Sequence, residues 1–166
     1  MTERHTLALL LENTAGSLSR VAGLFSARAY NIESLSVAPT EDPTISRMTV
    51  VTSGSPQIID QIVKQLNKLI DVIVLVDLSD GLRVERELLL VKMRYDNDLE
   101  KEKILKAVGK LEGVFLDTPE EVYTAQITGS SAQLDEFVRL VDSSILELAR
   151  SGTLGLQLGP KSLSSK

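Results

Sequence analysis

A single histidine, His5, and a complete lack of cysteine leave this chain with little of the usual catalytic apparatus. Without cysteine there are no disulfides, no thiolate metal sites and no thiol nucleophile. One histidine cannot build a His-rich metal centre, and no His-Glu-x-x-His pair occurs. His5 stands at the start of a strand-like segment with nothing near it in sequence to suggest a triad. It reads as a partly exposed strand residue; a base with a carboxylate partner is the other reading. Neither of the standard glycine-rich phosphate loops is present. Carboxylates are plentiful, but Glu100, Glu102 and Glu112 are interleaved with Lys101, Lys103, Lys106 and Lys110, the pattern of a solvated helix face with pairs such as Glu102 and Lys106. One stretch keeps some chemical interest, the turn Asn13-Thr14-Ala15-Gly16-Ser17 at the entrance of a helix. Taken alone it is also an ordinary turn, so its residues leave binding and simple connection both open.

The elements around that turn follow from hydrophobic spacing. Residues 4–11 form a short apolar run and read as a strand buried on at least one face. From Ser17 the period changes: Leu18, Val21, Ala22 and Phe25 share one helical face, with Gly16 and Ser17 at its entrance, where the serine can cap the exposed amides, and Tyr30-Asn31 at its end. Residues 32–38 and 45–52 alternate as strands around a turn-rich loop at 39–43. Ser55 as N-cap and Pro56 at the first helical position start a second helix, with Ile59, Ile62, Val63 and Leu66 on its apolar side. Residues 70–78 read as a strand.

Ser79-Asp80-Gly81 marks a boundary, after which the same order begins again. Residues 87–95 are strand-like, and Asn97 with Glu100 resembles a capping box ahead of a helix carrying Ile104, Ala107, Val108 and Leu111 and ended by Gly113. Strands at 114–117 and 121–128 flank the break at Thr118-Pro119. Gly129-Ser130-Ser131 precedes a helix with Leu134, Phe137, Val138 and Val141 inward, and residues 145–149 close the unit as a strand, with helix continuation as the alternative. Residues 153–158 stay unassigned, and 161–166 read as a frayed tail. Two tandem βαββαβ units are the split-βαβ, ferredoxin-like pattern, an α+β fold with domains at 1–78 and 79–166. In the run Leu7-Ala8-Leu9-Leu10-Leu11 both sides are apolar, so the sheet face away from the helices is expected to be covered, by a partner or by the other unit.

Bulk properties fit. The 166 residues suffice for one medium or two small domains, and 43% hydrophobic with 25% charged is ordinary for a globular protein. Aromatics are only 4%, so Leu, Ile, Val and Ala must build the cores. The net charge of −5 argues against a large phosphate-binding surface, and hence against a nucleic-acid partner. No apolar run approaches the roughly 20 residues that span a bilayer. The residues before the first strand lack signal-peptide character, which makes the expected location the cytoplasm.

The first strand, turn and helix read Leu9-Leu10-Leu11-Glu12-Asn13-Thr14-Ala15-Gly16-Ser17-Leu18-Ser19-Arg20-Val21. Then come Leu24-Phe25-Ser26-Ala27-Arg28-Ala29-Tyr30-Asn31-Ile32-Glu33-Ser34-Leu35, Ala38-Pro39-Thr40-Glu41-Asp42-Pro43 and Ser46-Arg47-Met48-Thr49. This ordered set resembles the ACT domain of the small, regulatory subunits of acetolactate (acetohydroxyacid) synthase. Gln65-Leu66-Asn67-Lys68-Leu69-Ile70-Asp71-Val72, Val84-Glu85-Arg86-Glu87-Leu88 and Ala149-Arg150-Ser151-Gly152 are similar to later parts of the same family, so the resemblance covers nearly the whole chain.

The resemblance implies a subunit without an active site or cofactor of its own. Such a subunit binds a catalytic partner that carries thiamine diphosphate, Mg2+ and FAD, raises its activity, and confers feedback inhibition by a branched-chain amino acid, usually valine. The pathway is valine, leucine and isoleucine synthesis. ACT domains of the family pair as homodimers with effector sites at the interface. On this chain the effector residues would be Asn13, Ala15, Gly16, Ser17 and Leu18, with Asn31 and Ile32 contributed by the other copy. The assignment makes physical sense. A ligand carboxylate suits the amides at a helix N-terminus, where the dipole is positive and donors lack partners. Gly16 has no Cβ to hold the ligand off, and Asn13 can offer its side-chain carbonyl to an ammonium. Hydrophobic contacts discriminate by only about 1–3 kcal/mol per methylene, so the residues do not rank valine over isoleucine or leucine. Asn31 alone would equally suit a left-handed helix C-cap, and Arg47, Arg150 and Ser151 are assigned to structure or the subunit interface.

Two other readings compete. A tandem ACT-type amino-acid sensor could regulate another enzyme or gene expression, since the fold serves many systems, although the acidic charge and the lack of a basic recognition helix speak against a direct DNA reader. A small ferredoxin-like hydrolase of the acylphosphatase type would need a phosphate-cradling first turn with an arginine, which this turn lacks.

Overall fold

The computed structural model describes residues 2–163; Met1 and, of the expected tail, residues 164–166 lie outside the described residues. The chain divides into two compact units, 1–84 with 153–166, and 85–152.

In the first unit, β1 (Glu3–Glu12) leads into α1 (Ser17–Ala27), β2 (Ser34–Pro39), β3 (Ile45–Gly54), α2 (Pro56–Leu66) and β4 (Val72–Asp77). The sheet is antiparallel in the order β2-β3-β1-β4. Leu7 and Leu9 of β1 pair with Val50 and Met48 of β3. Together with Val21 and Phe25 of α1 and Ile59 and Ile62 of α2 they form the first core. α2 starts as its sequence dictates, with Pro56 in the first turn and the Ser55 hydroxyl accepting the Ile58 amide. α1 ends differently from expectation. Ala29, at φ 55, takes the left-handed position, and Asn31 has no positive φ. The Tyr30 amide reaches back to the Phe25 carbonyl at 3.0 Å, which closes the helix before Asn31 arrives.

In the second unit, β5 (Arg83–Arg94) is followed by α3 (Asp98–Lys110), β6 (Val114–Asp117), β7 (Val122–Gly129), α4 (Ser131–Val141) and β8 (Ile145–Arg150). The sheet order β6-β7-β5-β8 repeats that of the first unit. Leu89, Val91 and Met93 alternate inward against Ile104 and Val108 of α3 and Leu134 and Phe137 of α4. Asn97 caps α3, and Ser130 with Gln133 forms a complete capping box on α4. At the end of α3 it is Glu112, at φ 52, that turns left-handed. Gly113 is needed for space instead: a Cβ there would stand 2.8 Å from Val108 and 2.9 Å from Ile127. The fold is therefore α+β with tandem ferredoxin-like units.

The division of the chain departs from a simple break at residue 78. The segment 153–158, unassigned from sequence, contains β9 (Leu154–Gln157), which belongs to the first unit. Its anchors explain why. The Thr153 amide donates to Ser34 Oγ at 2.7 Å, Arg47 Nη2 donates to the Gly155 carbonyl at 2.9 Å, and the Leu158 amide donates to the Leu82 carbonyl at 2.8 Å. Gly155 packs so tightly that a Cβ would meet Leu78 at 2.6 Å and Thr6 at 3.2 Å. Thr6 and Thr49 lie on the sheet face away from α1 and α2, so β9 and the 3₁₀ turn Leu78–Asp80 cover part of that face from within the first unit. Three anchors on residues far away in sequence outweigh the segment's position after the second unit.

Candidate functional site

The turn between β1 and α1 is held from three sides. The Glu12 amide donates to the Asp71 carbonyl at 2.9 Å, the Asn13 amide donates to the Thr44 carbonyl at 2.7 Å, and Asn13 Nδ2 donates to the Pro43 carbonyl at 2.8 Å. This fixes the loop to the β2–β3 connection and leaves the Asn13 side-chain oxygen as an acceptor on an exposed residue. Thr14 and Ser17 share a hydroxyl contact at 2.9 Å, with Ser17 buried. The serine cap expected at this helix does not form: Gly16 is the N-cap of α1 at φ 94, a conformation that suits glycine, Ser17 lies inside the helix with its hydroxyl turned to Thr14, and no side chain caps the start. In α2, α3 and α4 a Ser or Asn side chain does so. The Ser17 amide donates to the Thr14 carbonyl at 3.3 Å, while the Leu18 and Ser19 amides have no partner among the described residues and stand at the positive end of the helix dipole, beside exposed Ala15, Gly16 and Leu18.

The structure brings Asn13, Ala15, Gly16, Ser17 and Leu18 together, and it does not bring Asn31 and Ile32 to them within one chain. The eleven residues of α1 separate the two groups, about 16 Å at 1.5 Å per residue. Asn31 is exposed, and its carbonyl accepts the Thr52 hydroxyl at 2.7 Å. Ile32 is half-buried against the first core.

Two residues beside the turn escaped the sequence reading. Arg20 grips the buried Asp71 with both ends of its guanidinium, Nε to Oδ2 and Nη2 to Oδ1, the latter at 2.6 Å. Its third nitrogen, Nη1, faces the turn, 2.9 Å from where a Cβ on residue 16 would stand. The hydrogen bonds from Arg20, ahead of its charge, hold the Asp71 carboxyl below its ordinary value, and Asp71 raises Arg20 in return. The result is a fixed guanidinium one helical turn beyond Gly16, its charge balanced by Asp71 and its Nη1 left toward the turn. The i, i+4 spacing of Gly16 and Arg20 was a usable signal; the partnership with Asp71 had none, because 51 residues separate the pair.

Other singled-out residues have structural work. His5 Nδ1 contacts Asp77 Oδ2 at 2.6 Å across β1 and β4, so the histidine does find a distant carboxylate. Asp77 also accepts the Ser79 amide at 2.9 Å, and Ser79 Oγ accepts the Thr6 amide at 3.0 Å, which ties the strand ends together. In the second unit Arg150 bridges the buried Glu87 and Asp135; burial works to lower the Arg150 pKa, but the bonds to Asp135 and Glu87 outweigh it and raise it. Ser151 pairs with Leu88 through both its amide and its hydroxyl, each at 3.0 Å. Among the described residues no group of three or more His, Asp or Glu could hold a metal ion, and no helix is long and apolar enough to cross a membrane.

A βαββαβ unit with an open, glycine-started first helix, followed by a second unit of the same order, defines an ACT-type protein of tandem ferredoxin-like build. Residues 7–74 match the family model of the AHAS small subunit-like ACT domain, and residues 86–159 match that of the small subunit of acetolactate synthase. The chain belongs to the acetolactate synthase small-subunit family. It is 46% identical over 160 residues to the acetolactate synthase isozyme 3 small subunit of Escherichia coli, covering 95% of this chain and 98% of that one. The acetolactate synthase small subunit of Haemophilus influenzae is 43% identical over 162 residues, 96% of this chain and 99% of the relative. The crystal structure of the small subunit from Thermotoga maritima superposes with a TM-score of 0.86 at 32% identity, covering 96% of this chain and 99% of that one.

Proposed function

We propose that this chain is the non-catalytic regulatory subunit of an acetolactate synthase. It activates a catalytic subunit that carries thiamine diphosphate, Mg2+ and FAD, and it makes that enzyme sensitive to a branched-chain amino acid, valine foremost, in valine, leucine and isoleucine biosynthesis in the cytoplasm. The observation that carries the reading is the α1 entrance. An uncapped helix N-terminus stands at a glycine of φ 94, with the Arg20 guanidinium anchored beside it.

A free amino acid offers a carboxylate, an ammonium and a side chain. The carboxylate seats on the first amides of α1, where dipole and guanidinium both favour an anion. Asn13 receives the ammonium. Asn31 and Ile32 complete the site from a second copy, because in one chain they lie beyond the far end of α1. Effector binding thereby biases the arrangement of the paired domains that the catalytic subunit senses. The coupling is reciprocal: the catalytic subunit alters effector affinity by the same factor.

The test mixes this chain with a purified acetolactate synthase catalytic subunit and follows turnover with valine, leucine or isoleucine. Activation by the chain and inhibition by at least one of the three are expected. Asn31→His and Gly16→Asp should leave activation largely intact and abolish inhibition. Equal loss of both in the two variants would sink the assignment of roles.

A further inference from the structure

We infer that the first unit carries a second small-molecule site, separate from the α1 entrance, which takes a short aliphatic carboxylate without an amino group. The site is the cavity of about 290 Å³ between Arg47 and the end of the described chain. Arg47 pairs with Leu10 across β1 and β3 and so lies on the sheet face away from α1 and α2, whereas the proposed effector turn sits at the head of α1.

Charge selects the head group. Arg47 and Lys161 both line the cavity, and among the described residues no carboxylate does. Arg47 is half-buried, and its one hydrogen-bond partner among the described residues is the Gly155 carbonyl, a neutral acceptor. Burial lowers its pKa, as expected of a cation partly withdrawn from water with no acidic partner among the described residues. A partly desolvated guanidinium with donors to spare gains most from a carboxylate, which it binds by charge-assisted, often paired, hydrogen bonds. The rest of the wall is aliphatic, with Val76, Leu78, Leu156 and Leu163, and the volume is near the lower end of small-ligand pockets, roughly 300–1,000 Å³. An amino acid fits this lining poorly, since its ammonium would face two cations and no acid. A short aliphatic acid that lacks the ammonium, such as a 2-oxo acid, fits it. The inference does not rest on the effector reading, as the two sites share no residue.

The test titrates the full-length chain, with labelled Val and Leu methyl groups, with α-ketoisovalerate, valine and inorganic phosphate, and follows the resonances by NMR. Saturable shifts of Val76, Leu78, Leu156 and Leu163 are expected with the keto acid, and binding there at least about tenfold weaker for valine and for phosphate. Arg47→Gln and Lys161→Gln should each weaken the keto acid by about tenfold or more. Arg47 also anchors β9, so Lys161→Gln, which removes no described contact, decides the matter if Arg47→Gln misfolds. No saturable shift at these methyls overturns the site. Equal binding of valine, equal binding of phosphate, or no effect of Lys161→Gln overturns the ligand assigned to it.

Discussion

Asp71 does more for the candidate site than any residue that lines it. Its backbone carbonyl holds the Glu12 amide and its carboxylate holds Arg20, so one buried residue fixes both the loop and the guanidinium beside Gly16. Because Arg20 keeps the Asp71 carboxyl below its ordinary value, the folded state binds that proton more weakly than the unfolded chain. The pair's contribution is therefore complete above the unfolded carboxylate pKa of about 3.9 and disappears as pH falls through the lower folded value. Asp71→Asn should lower the urea midpoint at neutral pH, and the gap to the wild type should close in acid. A gap that stays constant to the bottom of the acid range would show that the pairing is not the cause. Arg20 is partly exposed, so salt should shrink the effect. The same variant frees Arg20, and weaker effector inhibition is expected with activation kept.

Each helix starts with chemistry suited to its purpose. α4 opens on a complete capping box, a stabilising start with nothing left over for a ligand. Ser130→Ala should destabilise the chain by about 1 kcal/mol and speed amide exchange in the first turn of α4. α1 forgoes that stabilisation, and its amides stay available. β9 depends on steric fit. Gly155→Val would drive a side chain into Leu78 and Thr6, and overpacking of this kind costs about 1–3 kcal/mol. Exchange protection should fall across residues 154–157 in that variant while the α4 amides remain protected. Loss of protection in both places would mean that the strand is no separate element of stability.

The proposed effector site needs two chains. If the effector sits between the Gly16 turn of one copy and Asn31 of another, two insensitive variants can complement each other. In a mixed dimer of Gly16→Asp with Asn31→His, one interface site joins both damaged halves and the other joins both intact halves. Co-expressed variants, activating the catalytic subunit, should regain partial inhibition that neither shows alone. Full insensitivity of the verified mixed dimer would place both groups in a site within a single copy, against the separation along α1.

The order of elements was readable because side-chain period is a local property. Leu18, Val21 and Phe25 mark a helix face, and the alternation of Leu89, Val91 and Met93 a strand, wherever the rest of the chain lies. The Ser55 cap was legible for the same reason, since a cap is decided within a few residues, whereas the serine expected to cap α1 lies inside the helix behind Gly16. Asn31 and Gly113 misled because a left-handed position can be filled by whichever residue the last hydrogen bonds leave there, here Ala29 and Glu112. Arg20 with Asp71, His5 with Asp77 and the return of β9 beneath Arg47 had no local signature. Their partners lie 51, 72 and 108 residues apart. Contacts at such separations depend on which strands lie side by side and in what register, and that is settled only when the hydrophobic faces close on one another.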